Sequence, residues 1–222
     1  MLINADFSRR AIIAPHQYHW VASPQGGVER VMLDRVGAEK ARATSIVRYA
    51  PHSCFPRHLH PGGEEILVLS GTLSEGDQHY PAGWYLRNPP GSSHQPSSAE
   101  GATIFVKLQQ MPAHEQRPVR IDTRDPMAWH RQDGRDICPL FSDELEQVCL
   151  QRLAVHEALF SQHSEGTELL VLGGDVVMEE RAYGQGSWIR LPAGESLDIV
   201  AGAQGASIYL KTGHLTAVEV EA

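Results

Sequence analysis

Four side chains in this sequence have the types and spacing to do chemistry together. His58 and His60 are separated by one residue, Glu64 follows after Pro61-Gly62-Gly63, and His94 stands behind Pro89-Pro90-Gly91-Ser92-Ser93. In an extended strand side chains alternate between faces, so His58 and His60 point the same way. Three imidazoles and a carboxylate form a donor set for a divalent transition metal: zinc, iron, manganese, nickel or copper, with geometry and supply deciding among them. Four protein donors leave one or two positions for water or a ligand. A lone His-x-His is a weak signal; the pair followed by the glutamate and by a Pro-x-Gly-x-x-His element is a strong one.

The elements that must hold these residues read as β-strands. Short β-branched and aliphatic runs such as Ser45–Tyr49, Glu65–Leu69 and Thr103–Leu108 are punctuated by 20 glycines and 14 prolines. Ile104, Val106 and Leu108 share one face at period two, and frequent turn signals predict an all-β sandwich or barrel. Only Asp143–Val148 has a helical look.

The chain also repeats itself. Glu65-Ile66-Leu67-Val68-Leu69-Ser70-Gly71 recurs 103 residues later as Glu168-Leu169-Leu170-Val171-Leu172-Gly173-Gly174. The same offset carries Tyr80 to Tyr183, Gly83 to Gly186, Arg87 to Arg190, Pro89 to Pro192 and Gly91 to Gly194. One register held across so many turn residues predicts two copies of one β-domain. The expected division is an N-terminal arm over 1–27, a metal-binding domain over 28–111, a linker over 112–124 and a second domain over 125–222. The arm is a candidate to pair with a barrel edge.

The second copy lacks the donor set. His58 maps to Ser161, His60 to His163, Glu64 to Thr167 and His94 to Leu197. This copy is expected to be structural, a surface for homo-oligomer formation, or a metal-free pocket, with Glu165 and Glu168 as the residues that could rescue a weak site. Glu168 persists where the other donors are lost, which assigns a structural role to its counterpart Glu65 and leaves Glu64 as the ligand.

Other residues have plainer readings. On an extended strand Cys54 would point with His58 and His60, as a ligand or an oxidation-sensitive trigger; a buried packing role is the preferred alternative. Cys138 and Cys149 read as core thiols, Trp84 and Trp188 as core aromatics, and Arg87 and Arg190 as partners in structural pairs. Three cysteines without Cys-x-x-Cys spacing point to reduced thiols and a cytoplasmic protein. A net charge of −8 disfavours a nucleic-acid partner. No apolar stretch approaches the roughly 20 residues of a membrane span, and the first residues lack the pattern of a signal peptide.

The segments Phe55-Pro56-Arg57-His58-Leu59-His60-Pro61-Gly62-Gly63-Glu64-Glu65, Tyr80-Pro81-Ala82-Gly83 and Arg87-Asn88-Pro89-Pro90-Gly91-Ser92-Ser93-His94 resemble the cupin domain of ChrR-type anti-sigma factors. The resemblance covers most of 28–111, and more weakly the second half. It implies two tandem cupin barrels of the jelly-roll type, with zinc at His58, His60, Glu64 and His94. It further implies a regulatory module responding to an oxidant or small ligand. In that family a separate helical domain carrying His-x-x-x-Cys-x-x-Cys binds the sigma factor. That motif is not present here, so any sigma-factor or other protein partner would have to meet the barrels themselves or a separately encoded domain. The alternative is an enzyme with unassigned catalytic residues: a cupin dioxygenase, or a metal-dependent isomerase or hydrolase.

Overall fold

The structure, a computed structural model, describes residues 1–38, 40–159, 165–195 and 198–215. It is all-β: apart from two single-turn 3-10 segments, Pro15–Gln17 and Pro126–Ala128, its regular elements are strands. The chain divides into two compact units, one of residues 1–5 and 19–124, the other of residues 6–18 and 125–222.

In the first unit the principal strands are β1 (Val28–Val36), β2 (Arg42–Tyr49), β3 (His58–His60), β4 (Glu64–Glu75), β5 (Trp84–Asn88), β6 (Ser92–His94), β7 (Ala102–Leu108) and β8 (Val119–Asp122). The main sheet runs β1-β2-β7-β4-β5-β8, with neighbours antiparallel. The strands β3 and β6 form a separate two-stranded pair. The second unit has β9 (Arg135–Ser142), β10 (Gln147–Leu153), β11 (Glu165–Met178), β12 (Trp188–Ala193) and β13 (Ile199–Thr212), ordered β9-β10-β13-β11-β12. This is the order β1-β2-β7-β4-β5 over again, so the sequence repeat is a repeat of topology. Both units are jelly-roll barrels.

Alternation along the strands builds each core. In the first unit Ile66, Val68, Leu86, Ile104 and Val106 pack with Val28, Tyr49, Leu73 and Tyr80, while Leu108 packs at the margin. Glu64 shares the strand face of Ile66 and Val68, so the pleat that buries those apolar side chains also turns Glu64 inward. In the second unit Leu169, Val171, Ile189, Leu191, Ile208 and Leu210 fill the equivalent places.

The opposite face holds the same ionic row twice. Lys107 stands opposite Glu65 and Glu65 opposite Arg87; Lys211 stands opposite Glu168 and Glu168 opposite Arg190. All six are buried. One glycine pair recurs as well: Gly71 and Gly174 have φ of +67° and +66°, and a side chain on either would collide with the backbone carbonyl of Gly101 or Gly205 respectively.

The first residues are distributed over both units. Leu2–Ile3 and Val21–Ala22 pair with β1, whereas Ala11–Ile13 pairs with β12. Within 112–124, β8 pairs with β5. Asp143–Val148 is not helical. The Asp143 carboxylate accepts from the backbone N–H of Leu145 and Glu146, both at 2.8 Å, which closes a turn leading into β10. No helix among the described residues is long and apolar enough to cross a membrane.

Candidate metal centre

Two local constructions bring the four predicted donors together. The first is the β3–β6 ladder, in which His58 faces His94 and His60 faces Ser92. Its three imidazoles form a nearly regular triangle, with ring centroids 4.7, 4.9 and 4.7 Å apart. The second is the turn from β3 into β4. Gly63 has φ +76°, and a side chain there would strike Met111; the glycine lets the chain reverse within three residues and deliver Glu64 beneath the rings.

The donor atoms of His58, His60, Glu64 and His94 all lie within 4.8 Å of one another, and among the described residues this is the one cluster of its kind. Glu64 Oε2 is 3.4 Å from His60 Nε2 and 3.4 Å from His94 Nε2. Both nitrogens are buried and have no hydrogen-bond partner. Buried polar atoms are ordinarily satisfied, so two orphaned nitrogens converging on one carboxylate oxygen call for a cation. Metal–donor bonds of about 2.1 Å put neighbouring donor atoms about 3.0–3.4 Å apart, which matches the two distances from Glu64 Oε2. The residues therefore fit a transition metal.

Three of the four donors are aimed by a partner behind them. His58 Nδ1 lies 2.8 Å from the Pro56 carbonyl and donates to it, which leaves Nε2 with the free lone pair. His94 Nδ1 is 2.5 Å from Glu75 Oε1, and Asn88 Nδ2 donates to Glu64 Oε2 at 3.0 Å. Arg120 ties these supports together, donating to Asn88 Oδ1 at 2.6 Å and standing 3.6 Å from Glu75 Oε2. Sequence reasoning missed Glu75, Asn88 and Arg120. Asn88 was within reach of it, because it stands opposite Glu64 once β4 and β5 are in register. Glu75 and Arg120 depend on long-range pairings that no motif encodes.

The electrostatics suit an ion. Burial, reinforced by His94 and His58, pushes His60 down to about 3, and burial also lowers His58, so both rings are neutral and free to bind through a lone pair. Burial raises the Glu64 carboxyl above its usual range. For His94 burial acts downward but is outweighed by Glu75 and Glu64, and the net shift is upward. Without a metal, His94 thus tends to hold a proton between two carboxylates, at the position a cation would take.

The cluster opens onto a cavity of about 410 Å³, lined by His58, His60 and Glu64 on one side and by apolar side chains including Val47, Tyr49, Phe55 and Ile104 on the other. The remaining predicted residues fall elsewhere. Glu65 lies on the far face of β4, 3.2 Å from Arg87 Nη1. Cys54 is exposed and belongs to a separate strand, Ser53–Cys54, which pairs with Pro96–Ser98. It is neither a buried packing residue nor a neighbour of the histidines along one strand. Pro56 lies between Cys54 and His58 and cannot donate to a ladder, so the extended run breaks there. Cys138 is buried, and Cys149 packs against the second core. Trp188 is fully buried and Trp84 packs on the first core.

In the second unit Thr167 occupies the place of Glu64 and is buried. Ser161, His163 and Leu197 lie outside the described residues. Glu168 accepts from Trp188 Nε1 at 2.8 Å and lies 3.1 Å from His214 Nε2, and Glu165 is exposed.

Residues 8–112 match the family of ChrR cupin-like domains. No curated protein matches the chain. Among solved structures, a candidate dioxygenase from Nostoc punctiforme aligns with a TM-score of 0.76 at 16% identity, covering 95% of this chain and 85% of its own. YlbA from Escherichia coli aligns with a TM-score of 0.69 at 18% identity, over 98% and 95% of the two chains. The bacterial pirin YhhW from Escherichia coli, solved with nickel(II), aligns at 0.66 and 13% identity over 92% and 98%. Likeness at such low identity is a likeness of fold, and the fold and the family match agree: the chain has a tandem cupin fold, and its residues 8–112 match the ChrR cupin-like domain family.

Proposed function

We propose that the first barrel is a divalent-metal centre held by His58, His60, Glu64 and His94, and that it binds a small molecule at an open position facing the 410 Å³ cavity. The observation that carries this reading is the pair of buried, unpartnered Nε2 atoms of His60 and His94, each 3.4 Å from Glu64 Oε2. When bound, the metal supplies a Lewis-acid position for an oxygen or nitrogen donor. The protein holds His94 through Glu75, holds Glu64 through Asn88, and keeps water off the far side with apolar walls. Zinc leads the candidates, with iron, manganese and nickel next; the pirin neighbour shows a related fold with nickel(II).

The match of residues 8–112 to ChrR cupin-like domains supports a regulatory role, in which occupancy of the site by a ligand, or its oxidation, is the signal. Three free cysteines fit a reducing, cytoplasmic setting. Elemental analysis of protein purified without added metal tests the centre. One ion per chain is expected, falling to a small fraction in His60→Ala; full occupancy in that variant would refute the ligand assignment.

A dioxygenase is the second reading. The apolar cavity lies directly against the donor cluster, and the Nostoc neighbour is described as a candidate dioxygenase. Oxygen uptake by the iron-loaded protein on a 1,3-dicarbonyl or thiol substrate would favour catalysis over sensing.

A further inference from the structure

The wall of the first-barrel cavity carries a charge that the metal cluster does not use. Arg30 lies on β1 two residues after Val28, shares its inward face, and lines the same cavity as His60 and Glu64. A strand that faces an apolar core should carry apolar side chains at such positions. Arg30 instead places a guanidinium there, half-buried, with its Nε buried and without a hydrogen-bond partner. Glu64 is the one carboxylate among the described lining residues, and Lys40 adds a second cation to the lining.

Arg30 is also set well apart from Glu64. Its row across the sheet runs through Val47, Ile104 and Val68, whereas Glu64 aligns with Leu108. Ile104 and Leu108 are four residues apart on β7, about 13 Å along the strand. Between the two rows the wall is apolar, formed by Val47, Ile104, Val106 and Leu108.

We infer that the ligand of this cavity is a small organic acid, with its carboxylate on Arg30 and its apolar body along these side chains toward the metal centre. The inference rests on the reading of the cavity as the ligand site. A guanidinium offers a planar fork of N–H donors that matches a carboxylate, and a partly desolvated arginine next to apolar surface gains most from such a partner. A neutral ligand of the same shape would leave the buried Nε unsatisfied, which is costly. The lining presents no helix N-terminus and only one arginine, so it suits a single carboxylate better than a phosphate ester, which usually draws several donors.

The test compares heptanoate with heptanamide by isothermal titration into the metal-loaded protein, with metal content measured on the same samples. Heptanoate is expected to bind at least tenfold more tightly. Arg30→Met should remove that preference while leaving heptanamide affinity and metal content unchanged. His60→Ala, which lowers metal content, should keep the preference for the acid. Equal affinity for acid and amide in the parent would overturn the inference even if Arg30→Met failed to fold. So would a preference that survives Arg30→Met but vanishes in His60→Ala, since the carboxylate would then sit on the metal. A parent protein that holds no metal yet prefers heptanoate would refute the metal centre and leave the anion site standing.

Discussion

At the scale of single residues, the site depends on how firmly each donor is aimed. Glu75 never touches the ion position, but it fixes which nitrogen of His94 bears the proton and how the ring lies. Glu75→Gln keeps the size of the side chain and removes its charge. Metal affinity should fall about ten- to hundredfold, while His94 and the other three donors remain; competition with a chromogenic chelator measures it, and an unchanged constant would show that Glu75 does not orient the ring. His94 also sets a pH dependence. Its net upward shift, with Glu75 and Glu64 outweighing burial, means that it takes up a proton at a higher pH than a free imidazole does. A proton on Nε2 excludes the metal, so affinity is lost as pH falls through this raised value and regained above it. For one displaced proton the constant changes about tenfold per pH unit below that point. A flat profile between pH 5 and 7 would mean that His94 is not a ligand.

At the scale of elements, each sheet stakes its stability on a buried ionic row. Glu65 lies 3.2 Å from Arg87 and stands opposite Lys107, all three almost fully buried. Glu65→Leu would leave two buried cations beside an apolar group, and removing one member of a buried pair costs about 3–5 kcal/mol. Urea unfolding should show a loss of that order; a loss below about 1 kcal/mol would mean that the row contributes no more than a surface pair does. In the second barrel Lys211 keeps Glu146 at 3.0 Å, and Glu168→Leu would instead strip the acceptor from Trp188 Nε1 and the partner from His214. This row also marks how far the sequence could be read. The equivalence of Arg87 with Arg190 and of Glu65 with Glu168 was visible from the repeat, as was the motif of His58, His60, Glu64 and His94, because both are local patterns with fixed spacing. The supports at Glu75 and Arg120 were not, because their roles arise only when β4 ends beside Pro96–Ser98 and when β8 docks on β5. Residues 112–124 look like a linker for the same reason: Pro112 and Pro118 advertise turns, and the four-residue strand between them and the second unit has no periodicity of its own. Cys54 misled because alternation presumes an unbroken strand, and Pro56 breaks it.

At the scale of the whole molecule, the two barrels share a topology and differ in what ties them together. The second barrel is organised by its apolar core and its ionic row. The first has both of these and in addition hangs three donors on the β3–β6 ladder, which is only three residue pairs long. A ladder so short has little apolar burial of its own and two orphaned nitrogens on its inner face, so a bound ion should contribute much of its local order. Chelation should therefore act unequally. Hydrogen exchange at His58–His60 and Ser92–His94 should quicken by tenfold or more when the metal is removed, while the amides of β11 and β13 should keep their protection. One ion per chain should be released. His163, the one histidine the second copy retains among the equivalent positions, should be replaceable by alanine without changing that ratio, since Thr167 stands where a carboxylate would be needed. Equal loss of protection in both barrels, or a ratio near two ions per chain, would show that the second barrel holds a metal as well, and the asymmetry between the two copies would then be one of sequence rather than of chemistry.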